Sequence, residues 1–137
     1  MLKAVRRGAK LYVVDPRRTP TAVWADGWLP VEVGADISLA NGLAKVILDA
    51  GLENRAFIGN ATSGFEAFAQ AMQKFDLKRV ARDTGVDPAL IQKAALDYAR
   101  ADRAMICWTL GITEHHNAVD NVLSLINLSL LTGHVGK

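Results

Sequence analysis

The chain has 137 residues, 50% of them hydrophobic, with 16 basic and 14 acidic side chains and a net charge of +2. That is long enough to bury the core of one domain and too short for several, and charges scattered along the chain rather than gathered in blocks argue for neither a nucleic-acid partner nor a membrane surface. The single cysteine excludes an internal disulfide or a cysteine-built metal cluster, and no stretch approaches the ~20 apolar residues that cross a bilayer.

The basic N-terminus lacks the apolar core of a signal peptide, so a cytoplasmic location is expected. "AKLYVV" at 9–14 reads as a strand, stopped by "DPRRTPTA", where Pro16 and Pro20 forbid continuation. "WLPV" at 28–31 is a short second strand, broken by "EVGAD". Leu39, Leu43, Val46, Ile47 and Ala50 then recur at helical spacing, which predicts an amphipathic helix over 37–50 with Asp36 as N-cap and Gly51 as its stop.

Ser63 with Glu66 has the spacing of a capping box and predicts a helix over 64–75. "DLKRVARDT" is a further short helix ended by Gly85, and Asp87 and Pro88 open the next, with Leu90, Ile91, Ala94, Ala95 and Tyr98 along one face. "AMICW" at 104–108 returns to strand character, with Cys107 as a small buried hydrophobe. A turn-rich loop, "TLGITEHHN", leads into an apolar helix at 118–131 with Asn117 as a candidate N-cap and a stop near Gly133. The order predicts one α/β domain, a Rossmann-like parallel sheet with a helical insert over about 53–102.

In open parallel sheets ligands bind at the carboxyl ends of strands, where loops enter helix N-termini. Three loops qualify. In "VVDPRRT", Asp15 can accept from a ribose or a purine N–H, and Arg17 and Arg18 can meet phosphate oxygens; the alternative is a turn aspartate beside two solvated arginines. In "VEVGADI", Gly34 admits a close backbone approach, and Asp36 either caps the helix or accepts from a base. In "TLGITEHHN", adjacent histidines cannot share one face, and the third, His134, is remote, so Glu114, His115 and His116 read as a ligand-receiving loop rather than a metal site.

"VVDPRRTPTA", "LPVEVGADISLANGLAKVI", "ALDYARADRAMICWTLGITEHHN" and "LTGHVGK" together resemble an internal segment of formate dehydrogenase catalytic subunits, in the bis-molybdopterin guanine dinucleotide oxidoreductase family. The resemblance implies that Val14, Asp15, Pro16, Arg17 and Arg18, with Gly34, Ala35 and Asp36, hold a guanosine diphosphate arm of the cofactor. It implies that Leu110, Gly111 and Glu114 lie against the same cofactor, although many relatives carry glutamine at the position of Glu114. It further implies a molybdenum or tungsten centre and a 4Fe-4S cluster in the parent enzyme, neither ligated by this segment, and partners in the remaining domains and in electron-transfer subunits.

A glycine-rich strand and loop that the family places before the segment matching Met1 has no counterpart, so the sheet is expected to be incomplete and the chain to be an excised or fragmentary part of a larger enzyme. Such a segment could also self-associate through the helix at 118–131. Two other readings compete. A stand-alone nucleotide-binding or partner domain shares every loop argument. A helix-turn-helix is suggested by the spacing of Ala81, Gly85 and Ile91, but Pro88, Ala89 and Leu90 fill the first turn of its recognition helix and leave only Gln92 and Lys93 to reach bases.

Overall fold

The structure is a computed structural model and describes residues 2–136. A short α1 (Leu2–Val5) precedes β1 (Tyr12–Val14), and α2 (Pro20–Val23) carries the chain to β2 (Gly27–Leu29). Pro20 opens α2 with its φ already helical, and Thr19 caps it by accepting from the Ala22 N–H. The two strands pair in parallel, Tyr12 opposite Gly27 and Val14 opposite Leu29. Gly27 is required there, because a Cβ would come within 2.7 Å of the Tyr12 ring.

The rest of the fold is helical: α3 (Asp36–Asp49), α4 (Arg55–Ala61), α5 (Phe65–Met72), α6 (Leu77–Thr84), α7 (Pro88–Arg100), α8 (Leu110–Thr113) and α9 (Ala118–Thr132). Helix α3 is the centre, packed against α6, α7 and α9. Its Ala40, Ala44, Val46 and Ile47 enter one apolar cluster with Ile58, Met72, Ala95, Leu128 and Leu131. Its Leu39 enters a second with Leu29, Val31, Val80, Val86 and Ile91, which joins the sheet to the helices. At Gly42 the backbone of α3 approaches α6 so closely that a Cβ would stand 2.6 Å from Val80 Cγ1.

Several expected boundaries hold. Gly85 and Gly133 end α6 and α9 in the left-handed conformation, and Asp87 caps α7 by accepting from the Ala89 N–H. Others do not. Asp36 is not the N-cap of α3; Ala35 is, without a side-chain bond, and Asp36 sits in the first turn, where its charge meets the positive end of the helix dipole. The Ser63–Glu66 capping box does not form, because the cap is Gly64 at φ +77° and Ser63 lies one residue too early; the helix is Phe65–Met72. Asn117 stands at the N-cap of α9 but makes no capping bond, and part of the expected loop is the short α8.

The largest correction is at 104–108, which forms no strand. No described segment lies alongside to share its backbone hydrogen bonds, and a strand exists only with a neighbour. Cys107, expected to be buried, is exposed. The described residues therefore form a mostly helical α/β structure with a two-stranded parallel sheet. Helix α9 leaves Val119, Leu123 and Ile126, one row at helical spacing, open to solvent.

A polar cluster ties β1 to the helical body. Asp97 on α7 accepts from the Tyr12 hydroxyl, from Lys10 Nζ at 2.6 Å and from Lys93 Nζ at 3.2 Å, and Lys93 also donates to the Tyr12 hydroxyl. The bonds from Lys10 and then Tyr12, with a smaller contribution from Lys93, hold the Asp97 carboxyl well below the usual carboxylate range. Burial, and donation to Asp97, raise the Tyr12 phenol, which therefore stays protonated.

Two predictions follow from these contacts. Gly42→Ala should destabilise the chain by about 1–2 kcal/mol in urea unfolding, because the clash with Val80 outweighs the gain in helix propensity; an unchanged midpoint would mean that α3 and α6 part freely. The stabilisation from Asp97 is complete above its unfolded pKa of about 3.9 and is lost as pH falls from there toward the depressed folded value. The stability gap between the parent and Asp97→Asn should thus be steady over about pH 5–7 and close on acidification below about pH 4. A gap that widened in acid would contradict the assignment.

Candidate functional site

Parallel pairing puts the carboxyl ends of β1 and β2 side by side, so the loops at 15–19 and 30–36 leave the sheet from one edge. Asp15 is the hinge of the first. Its N–H donates to the Leu29 carbonyl at 3.2 Å, and its own carbonyl accepts from Trp28 Nε1 at 2.8 Å. Its carboxylate Oδ1 accepts from the Arg17 N–H at 2.8 Å, a turn closed by the side chain. Among the described residues Oδ2 has no partner, so the carboxylate keeps one acceptor for a ligand.

Val14, Pro16, Arg17 and Arg18 are exposed. The Arg18 guanidinium lies 5.8 Å from the centre of the Trp28 ring, a cation–π contact that holds the charge beside Asp15. In the second loop Gly34 has φ +90°, and a Cβ built there meets nothing within 4 Å, so this backbone is open to approach. Ala35 N donates to the Glu32 carbonyl at 3.0 Å, closing the turn into α3. Asp36 makes no capping bond, which leaves its carboxylate available in the first turn.

The third loop stands apart from these two in its bonding. Leu110 and Gly111 lie on α8 and are exposed, and Glu114 ends that helix, its N–H donating to the Leu110 carbonyl at 2.9 Å. The loop is moored to α9, where the buried Asn121 donates from Nδ2 to the Ile112 carbonyl at 3.1 Å. Among the described residues no hydrogen bond links α8 to the first two loops. Among the described residues His115 and His116 belong to no group of three or more histidine, cysteine, aspartate or glutamate side chains that could hold a metal ion.

Two residues of this arrangement escape a reading of the sequence. Trp28 unites the first loop by its indole N–H and its ring face, yet in the sequence it is one aromatic in a short strand. Asn121 is legible in hindsight as a polar residue on the inward face of an apolar helix, in line with Ser124 and Leu128, both buried. Two surface grooves, of about 200 and 530 Å³, lie between α4, α5 and α9 and beside Lys45, Phe75 and Arg100, and none of the three loops lines either.

Residues Ala81, Gly85 and Ile91, which match a helix-turn-helix spacing, form a packed pair of helices. Ile91 is wholly buried, and Lys93, one of two side chains able to reach bases, is engaged by Tyr12 and Asp97. No helix among the described residues is long and apolar enough to cross a membrane.

Comparison with known proteins assigns the class. Residues 1–137 match the family model for molybdopterin oxidoreductases. The chain is 37% identical, over its whole length, to the F420-dependent formate dehydrogenase subunit alpha of Methanocaldococcus jannaschii, of which it covers 20%. It is 38% identical over 135 residues to the assimilatory nitrate reductase catalytic subunit of Bacillus subtilis, covering 98% of this chain and 19% of that protein. The solved acetylene hydratase from Pelobacter acetylenicus superposes with a TM-score of 0.94 at 35% identity, covering 98% of this chain and 19% of that one.

The chain belongs to the molybdopterin oxidoreductase family and spans about a fifth of the length of the relatives it matches. Family membership implies a molybdopterin cofactor. The three relatives, named for three different activities, match at nearly equal identity, so identity over this segment does not separate their substrates.

Proposed function

We propose that the chain is a single domain, one cofactor-holding lobe of a molybdenum- or tungsten-dependent formate dehydrogenase catalytic subunit, and that it grips a guanosine diphosphate arm of the molybdopterin guanine dinucleotide cofactor. The observation that carries this reading is Asp15: one carboxylate oxygen closes its own turn, the other is free, and Trp28 and Arg18 stand beside it. A free carboxylate oxygen suits ribose hydroxyls or the N–H edge of a purine, and exposed guanidinium groups suit a diphosphate.

The residues present fit such a group. Arg17 and Arg18 supply the positive charge, and the open backbone at Gly34 allows a phosphate or base to approach without meeting a side chain. Asp36 already occupies the positive end of α3 with a negative charge, which favours a base N–H there over a phosphate. Leu110, Gly111 and Glu114 would meet the cofactor from the separate α8 loop. Glu114 is exposed and, when ionised, can only accept, so it suits a donor on the cofactor where many relatives would present a glutamine.

When bound, the cofactor supplies two-electron redox chemistry at its metal, by which formate becomes carbon dioxide. This chain contributes binding and orientation alone; electrons would pass to a 4Fe-4S cluster in the rest of the subunit and on to electron-transfer partners in the cytoplasm.

Titration with guanosine diphosphate, followed by heteronuclear NMR, tests the assignment. Saturable shifts are expected at Asp15, Gly34 and Gly111, and Asp15→Asn should weaken binding about tenfold or more, the worth of a hydrogen bond to a charged group. A folded chain whose Asp15 and Gly34 signals do not move at millimolar nucleotide would overturn the reading. The purified chain alone should reduce no dye with formate; turnover by it would show that catalytic groups lie within these residues.

A further inference from the structure

Given the guanosine diphosphate site proposed above, on which this rests, we infer that Trp28 is its positioning residue: the indole N–H fixes Asp15, and the ring face presents Arg18. Trp28 is the middle residue of β2, half-buried between the buried Gly27 and Leu29. Leu29 enters the apolar cluster that joins the sheet to the helices, so alternation along the strand sends the indole to the opposite face of the sheet. There it meets both ends of one loop. Its Nε1 donates to the Asp15 carbonyl at 2.8 Å, and the Arg18 guanidinium lies 5.8 Å from its ring centre.

The two contacts prepare different groups. The bond to the Asp15 carbonyl fixes the backbone that carries the carboxylate, and with Oδ1 held by the Arg17 N–H at 2.8 Å the place of Oδ2 is settled as well. Arg18 is exposed, and among the described residues no carboxylate lies within ion-pair distance of it. A free arginine loses rotamer freedom when it meets a phosphate, and a ring that already holds it reduces that loss. A π face engages the guanidinium and leaves N–H donors for a diphosphate, whereas a carboxylate partner would consume them. Among the side chains, tryptophan alone joins so wide a face to an N–H donor.

Binding of guanosine and of guanosine diphosphate to the purified chain, followed by heteronuclear NMR in single and paired variants, separates the two contacts. Trp28→Phe keeps a ring and loses the N–H. It should weaken both ligands by a similar factor, about three- to tenfold, and move the Arg17 amide resonance toward its random-coil position before any ligand is added. Trp28→Leu loses the face as well and should cost the diphosphate about threefold more than it costs the nucleoside. Arg18→Gln should weaken the diphosphate about tenfold in the parent and only about threefold beside Trp28→Leu, because the two residues act together. A general loosening of the loop would weaken both ligands alike and leave the two substitutions additive, and that result overturns the inference. So does an unmoved Arg17 amide in Trp28→Phe. Nucleotide binding that survives Trp28→Leu undiminished removes this inference and leaves the guanosine diphosphate site standing; a folded parent that binds no nucleotide removes the site and this inference with it.

Discussion

Helix α3 carries apolar side chains on more than one face, and that constraint shapes everything around it. Leu39, Ala40, Ala44, Val46 and Ile47 are all buried, and they point into two different clusters. A helix with so little polar surface has to be wrapped, and α6, α7 and α9 do the wrapping. Gly42 lets α6 come close enough to close one side, and the second cluster extends from α3 to Leu29 and Val31, which fixes where the sheet sits. The loops after β1 and β2 therefore owe their positions to a helix that contributes only its first turn to them.

The sheet is held more by its attachments than by its own ladder. Three residues of β1 pair with three of β2, too little for independent stability. Asp97, gathering Lys10, Tyr12 and Lys93, anchors β1 to α7 from one end, while Trp28 reaches across to the Asp15 carbonyl at the other. The second bond falls where β1 gives way to the loop. It makes the conformation of Asp15 depend on β2, so the carboxylate is set before any ligand arrives.

The chain belongs to the molybdopterin oxidoreductase family and matches relatives named for different activities at nearly equal identity. On the proposed reading, a lobe that grips the far arm of the cofactor would need the same acceptors, cations and open backbone whatever happens at the metal. On that reading these residues would not set substrate choice. Neither of the two grooves is lined by the loops after β1 and β2 or by α8.

The helices of this protein are legible in its residues because their signals are local: apolar spacing for α3, α7 and α9, and glycines that end α6 and α9 in a conformation few other residues adopt. The loops after β1 and β2 are legible for a like reason, since Pro16, Pro20 and Gly34 break strands wherever they stand. Capping choices at Asp36 and Ser63 misled, because two adjacent residues can each serve as a cap and packing selects between them. What only the tertiary structure decided is non-local: that Trp28 and Asp15 share a bond, that Asp97 collects donors from Lys10, from Tyr12 on β1 and from Lys93 on α7, and that 104–108 stays unpaired among the described residues. A helix closes its hydrogen bonds within itself and so announces itself in sequence; a strand depends on a neighbour elsewhere in the chain, and no reading of its own residues can say whether that neighbour is there.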